Sequence, residues 1–182
     1  MKIKITSDST CDLSPELLRE NDIELFPLFI NKGDESFRDG VDIQPADIFA
    51  HVAAGGTLCS TAAVPVGVFH DRFAELAKEY DAVFHVNIGS GFSASHQNAV
   101  LAAEDLPNVY VIDSRNLSTG QGHVVLEACR LAKTATDLRR CTGSSMRLPQ
   151  RSTPASCSTG WITWSRAAAA RRSWLSVRTC CA

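Results

Sequence analysis

No run of the roughly 18 to 20 apolar residues that a membrane span requires occurs in the 182-residue chain. Its opening, MKIKITSDST, lacks the apolar centre of a secretory signal. The expectation is a cytoplasmic protein without stable membrane insertion. None of the seven cysteines stands in a CxxC spacing, so neither a metal site nor a disulfide framework is implied, and Cys11, Cys59 and Cys129 read as reduced thiols. There is no GxxxxGK(S/T) loop, which argues against a nucleoside triphosphate enzyme, and no cofactor is expected. The most informative absence is local: residues 138–182 contain no Asp, no Glu and no Lys.

That absence divides the chain. Residues 1–137 hold all 20 acids against ten basic residues, a net charge of −10, whereas 138–182 hold eight arginines and a net charge of +8. All three tryptophans and four of the cysteines (Cys141, Cys157, Cys180 and Cys181) also lie in the second part. A basic arm on an acidic body ordinarily suggests nucleic-acid binding. An arm without a single lysine does not fit that reading, and no nucleic-acid partner is expected.

Residues 2–113 alternate short β-branched runs with longer stretches of apolar residues spaced by three and four, the pattern of an α/β domain. Strands are expected at Ile3 to Thr6, Ile23 to Ile30, Ala82 to Ile88 and Val109 to Ile112. Helices are expected from Ser14-Pro15 to Asn21, Pro45 to Ala54, Val66 to Tyr80, Ser93 to Leu106 and Ser118 to Lys133. The segment "NKGDESFRDG" reads as turn. In the third helix Phe69, Phe73, Leu76 and Ala77 share one face. In a mainly parallel sheet the polar turns after the strands would gather at one edge, the usual place for a ligand.

Three such turns stand out. "GSGFSASHQNA" places Gly89, Gly91 and Ser93 before a helix, where unpaired N–H groups and the helix dipole favour an anion. Ser93 also suits a plain helix cap. A third reading is a nucleophile of an α/β serine esterase, since Gly91-Phe92-Ser93-Ala94-Ser95 approaches G-x-S-x-G and Asp113 and His123 follow in order. "LCSTAAVP" offers Ser60 and Thr61, and "VIDSRNLSTGQG" offers Asp113 to Ser118. Hydroxyls without an adjacent base describe binding better than catalysis, so no catalytic residue is assigned and an enzyme is not expected.

"SDSTCDL", "FPLFI", "FRDGVDI", "GSGFSASHQNA" and "VIDSRNLSTGQG" together resemble, in order, the signature blocks of the DegV family of bacterial fatty-acid-binding proteins. The resemblance covers residues 1 to about 137. It implies a DegV-type N-terminal α/β domain with a mainly parallel sheet flanked by helices, followed in complete members by a second α/β domain. It also implies a long-chain fatty acid held between the domains, its carboxylate presented to a fatty-acid kinase. The family's carboxylate-contacting threonine falls on Thr61 and its serine on Ser93. Ser60, Ala62, Gly91, Phe92 and Ser95 become pocket-lining candidates. Ala62 replaces a family serine, and Ala94-Ser95 replaces Gly-Thr.

Beyond residue 137 the resemblance stops. Reading "GWITW" from each codon's third base admits L-D-Y-L, and the same shift further on admits G-G-R-C-S and then A-V-V-A-L-G-A-N-L-L, blocks of the family's second domain in their usual order. Residues 138–182 are therefore expected to be a frameshifted, poorly ordered tail, with the second domain missing or scrambled.

Overall fold

The computed structural model describes residues 1–134, together with three short strands further on at Ser145–Arg147, Gly160–Thr163 and Val177–Thr179. The main sheet is parallel throughout. Its four strands are β1 (Ile3–Asp8), β2 (Glu24–Phe26), β6 (Ala82–Asn87) and β7 (Val109–Asp113), in the order β2-β1-β6-β7. The run AVFHVN of β6 is buried at every position because helices cover both faces of the sheet. On one face lies α5 (Thr119–Thr134), whose Val124, Val125, Ala128 and Cys129 pack with Ile5, Phe84, Val86 and Ile112. On the other lie α3 (Val66–Glu79) and α4 (Ser95–Ala102), bringing Phe69, Phe73, Leu76, Ala99 and Ala102 against Phe26, Val83, Val109 and Val111. These are the α/β architecture and the apolar face of α3 that the periodicity predicts.

The first helix, α1 (Pro15–Glu20), begins as expected, with Ser14 Oγ accepting the Leu17 N–H at 3.4 Å and proline in the first turn. The single strand expected over Ile23 to Ile30 is in fact two. Pro27, which lacks an N–H, separates β2 of the parallel sheet from β3 (Phe29–Lys32) of a second, antiparallel sheet. The segment read as turn contributes β4 (Glu35–Arg38), joined to β3 by a two-residue loop in which Gly33 takes φ +62°. After α2 (Pro45–Ala53) the third strand of this sheet is β5 (Ser60–Ala62), giving the order β4-β3-β5.

Of residues 138–182, the described portion is β8 (Ser145–Arg147), β9 (Gly160–Thr163) and β10 (Val177–Thr179), paired antiparallel in the order β10-β9-β8. The expected boundary at 137 and the remainder of the tail lie outside the described residues. Among the described residues no helix is long and apolar enough to cross a membrane.

Candidate functional site

The carboxyl ends of β1, β6 and β7 finish in polar side chains that fold back on one another. Asp8 is fully buried and collects donors: Thr10 Oγ1 at 2.6 Å, the Ile88 N–H at 2.6 Å, Gln121 Nε2 at 2.7 Å, and Asn87 Nδ2 and the Thr10 N–H at 3.3 Å. The carboxylate thereby ties the β1 turn, the β6 turn and the start of α5 into one rim. Asp113 completes the rim, accepting Ser90 Oγ at 2.6 Å, the Ser90 N–H at 3.1 Å and the Arg115 N–H at 2.9 Å. Burial opposes ionisation of Asp113, but these hydrogen bonds prevail and hold its carboxyl below the usual range.

Between these anchors runs the turn that leads into α4. The Phe92 N–H donates to Gly89 O at 2.8 Å, and Ser93 Oγ accepts the Ser95 N–H at 3.1 Å while lying 3.2 Å from Ser95 Oγ. Ser93 thus closes a local turn over the Ser95 N–H, and α4 starts at Ser95 with Ala94 as its N-cap residue, later than the Ser93 expected. At its far end the helix stops at Ala102, short of the Leu106 expected, and residues 103–105 continue as turn. Ser95 is fully buried. Its Oγ accepts the Val64 N–H at 3.4 Å, and Asn98 Nδ2 donates to Val64 O at 2.8 Å. Those two bonds dock the segment leaving β5 onto the first turn of α4.

Thr61 and Ser60 lie exposed on β5, with Ala62 half-buried beside them. Here the sequence reading needs correction: Ser60 and Thr61 are not on a turn following a parallel strand. They belong to an antiparallel strand, paired Ser60 to Asn31 and Thr61 to Ile30, and the Val64 docking brings that strand towards the 88–95 turn. Gly91 and Phe92 are exposed at the tip of that turn, Phe92 at 65 %. Leu58, two residues before β5, is exposed at 84 %.

The esterase arrangement is not assembled. Ser93 is bonded to Ser95, Asp113 is bonded to Ser90 and Arg115, and His123 is exposed on α5. Among the described residues no group of three or more His, Cys, Asp and Glu side chains is placed to hold a metal ion. Burial pushes the thiols of Cys11 and Cys129 up, Cys129 to about 11, away from reactive thiolates. The sequence reading passed over His85 and His96. Both are buried, and burial lowers both below the ordinary imidazole value, with His96 pushing His85 lower and Asp113 pulling His96 the other way.

Gly89 holds the rim together by its lack of a side chain. A Cβ there would lie 2.9 Å from the Arg115 backbone carbonyl carbon and Cα, and the Gly89 N–H donates to Asn116 O at 2.9 Å. Gly89→Ala should cost about 1 to 3 kcal/mol in urea unfolding and shift the amide resonances of Ser90 and Arg115. A loss below about 0.5 kcal/mol would show that the loop relaxes freely.

Comparison with known proteins follows this geometry. The family model described as "Uncharacterised protein, DegV family" matches residues 2–144. A DegV domain-containing protein of Clostridium perfringens is 37% identical over 139 residues, covering 75% of this chain and 50% of its own length. The structure of a DegV family protein from Thermus thermophilus, described for its fatty-acid binding, superposes with a TM-score of 0.71 at 31% identity, covering 76% of this chain and 50% of that one. A stearic acid-binding protein from Eubacterium ventriosum gives a TM-score of 0.67 at 29% identity, covering 76% and 50%. The chain thus spans about half the length of these relatives.

Proposed function

The chain belongs to the DegV family, and from that premise we propose that it is a fatty-acid-binding protein and not an enzyme, with Thr61 and Ser93 donating hydrogen bonds to the carboxylate of a long-chain fatty acid. The observation that carries the reading is the docking of Val64 onto Ser95 and Asn98, which sets the hydroxyl-bearing strand β5 beside the hydroxyl-bearing turn before α4. Hydroxyl and backbone N–H donors at a helix start suit an acceptor-only ligand such as a carboxylate. The exposed Leu58 and Phe92, close in the chain to Thr61 and Ser93, suit the chain attached to it. The fatty-acid binding of the Thermus and Eubacterium relatives supports the same reading. A carboxylate held at the open edge of the sheet would be within reach of a fatty-acid kinase, the partner proposed here.

The head-group site can be tested apart from the acyl tunnel by using a short ligand. In an amide NMR titration of the 182-residue chain, octanoate should shift the resonances of Thr61 and of Ser93 to Ser95 and saturate in the millimolar range. Thr61→Ala and Ser93→Ala should each weaken octanoate about tenfold, the scale of one hydrogen bond to a charged group. Octanoate shifts confined to other parts of the domain would refute this placement.

A further inference from the structure

Ser95 is hydrogen-bonded to Ser93, and Ser95 and Asn98 are both hydrogen-bonded to Val64, three residues after Thr61 in the chain. Val64 is fully buried and occupies the third position after Thr61. Its N–H and its C=O are both taken by α4, the first by Ser95 Oγ and the second by Asn98 Nδ2, three residues apart on one face of the helix. Ser95 also holds Ser93 twice, through its backbone N–H and through its Oγ. A single buried hydroxyl therefore touches both halves of the carboxylate site: Ser93 directly, and the β5 strand of Thr61 through Val64.

The chemistry of that hydroxyl is specific. Ser93 Oγ and Ser95 Oγ lie 3.2 Å apart, close enough for one hydroxyl to donate to the other. A carboxylate has only acceptors, so Ser93 must turn its single proton towards the ligand to bind it. Ser95 can then rotate its own proton onto Ser93 Oγ, while its second lone pair keeps the Val64 N–H. A hydroxyl at position 95 can make this exchange; a methyl group cannot. With the carboxylate bound, both hydroxyl protons and the Val64 N–H then have acceptors.

We propose that Ser95, assisted by Asn98, is the positioning residue for carboxylate recognition: it fixes the spacing of Thr61 and Ser93 and donates to Ser93 Oγ, leaving the Ser93 proton free for the carboxylate. This rests on the head-group reading above, and the experiment separates the two. Octanoate and octanol are titrated by NMR against the 182-residue chain and its Ser95→Ala, Ser95→Thr, Asn98→Ala, Thr61→Ala and Ser93→Ala variants. Ser95→Ala and Asn98→Ala should weaken octanoate about tenfold and leave octanol unchanged, whereas Ser95→Thr should stay within about twofold of the parent. Thr61→Ala combined with Ser95→Ala should lose little more than either change alone, since both act on one contact.

If Thr61→Ala and Ser93→Ala weaken octanoate but Ser95→Ala does not, the proposal falls and the head-group reading stands. If Ser95→Ala and Ser95→Thr weaken both ligands alike, Ser95 is only structural and the proposal falls. If neither Thr61→Ala nor Ser93→Ala affects octanoate, the head-group reading fails and takes the proposal with it.

Discussion

Between pH 7 and pH 4 the domain should lose about 3 kcal/mol of stability to one side chain, His85. The imidazole is completely buried on β6, its ring 4.9 to 5.2 Å from those of Phe26, Phe69 and Phe73, all edge-on. Its polar contact is Thr6 Oγ1, 2.8 Å from Nδ1. Burial, with a smaller contribution from His96, lowers its pKa from the ordinary 6.5 to about 3. The sign follows from the proton count. The unfolded chain protonates this imidazole near pH 6.5, the folded chain only near pH 3, so between those values the unfolded state binds more protons. Stability is complete above about pH 6.5 and falls with pH at about 1.4 kcal/mol per unit until the folded value is reached. His96 and Asp113, both lowered, act in the same direction. Urea midpoints at pH 7, 5.5 and 4 measure the slope. In His85→Gln it should flatten by about the His85 share, even though that variant starts less stable at pH 7. A slope that survives this substitution unchanged would move the effect to other groups.

His85 also shows what the sequence conceals. The run AVFHVN can be read as a buried strand because its neighbours are apolar, and the covering helices can be read from residues such as Phe69, Phe73 and Leu76. That His85 has a polar partner among three phenylalanines depends on β6 pairing with β1, which brings Thr6 opposite His85. No spacing within the sequence expresses that pairing. The second sheet escaped for a related reason. β5 is three residues long with no alternation of its own, and it is a strand only because β3 provides the partner. Pro27, by contrast, was a visible signal that Ile23 to Ile30 should not be one strand.

The site was legible at the level of residue type and not of geometry. Ser93 before a helix and Thr61 before Pro65 could be picked out as hydroxyls in polar turns, and the resemblance to DegV proteins gave them a role. Ser95 was seen only as a lining candidate. Its importance comes from the Val64 contact, between residues 31 apart in the chain. The Asp8 rim is similar: "SDST" marks a polar turn, but the bonds to Ile88 and Gln121 join segments 80 and 113 residues away.

Long-chain fatty acids should bind the 182-residue chain more than a thousandfold more weakly than they bind the Thermus relative assayed beside it. The described domain carries the proposed head-group residues Thr61 and Ser93, with Leu58 and Phe92 nearby in the chain open to solvent. An acyl chain lying along these side chains keeps its other flank in water unless a second wall covers it. The matched region spans about half the length of these relatives, and we propose that the wall belongs to the half it does not match. At about 0.8 kcal/mol per buried methylene, six methylenes left wet forfeit about 5 kcal/mol, more than a thousandfold in affinity. Octanoate, which depends more on the head-group turns, should lose much less. Calorimetry with oleate below its micelle threshold measures the deficit, and fusing the second half of the Thermus relative after residue 137 should recover it. Submicromolar one-to-one binding of oleate to the 182-residue chain would mean that a single wall suffices. The apolar side chains exposed around β5 would then have to close over the ligand by themselves.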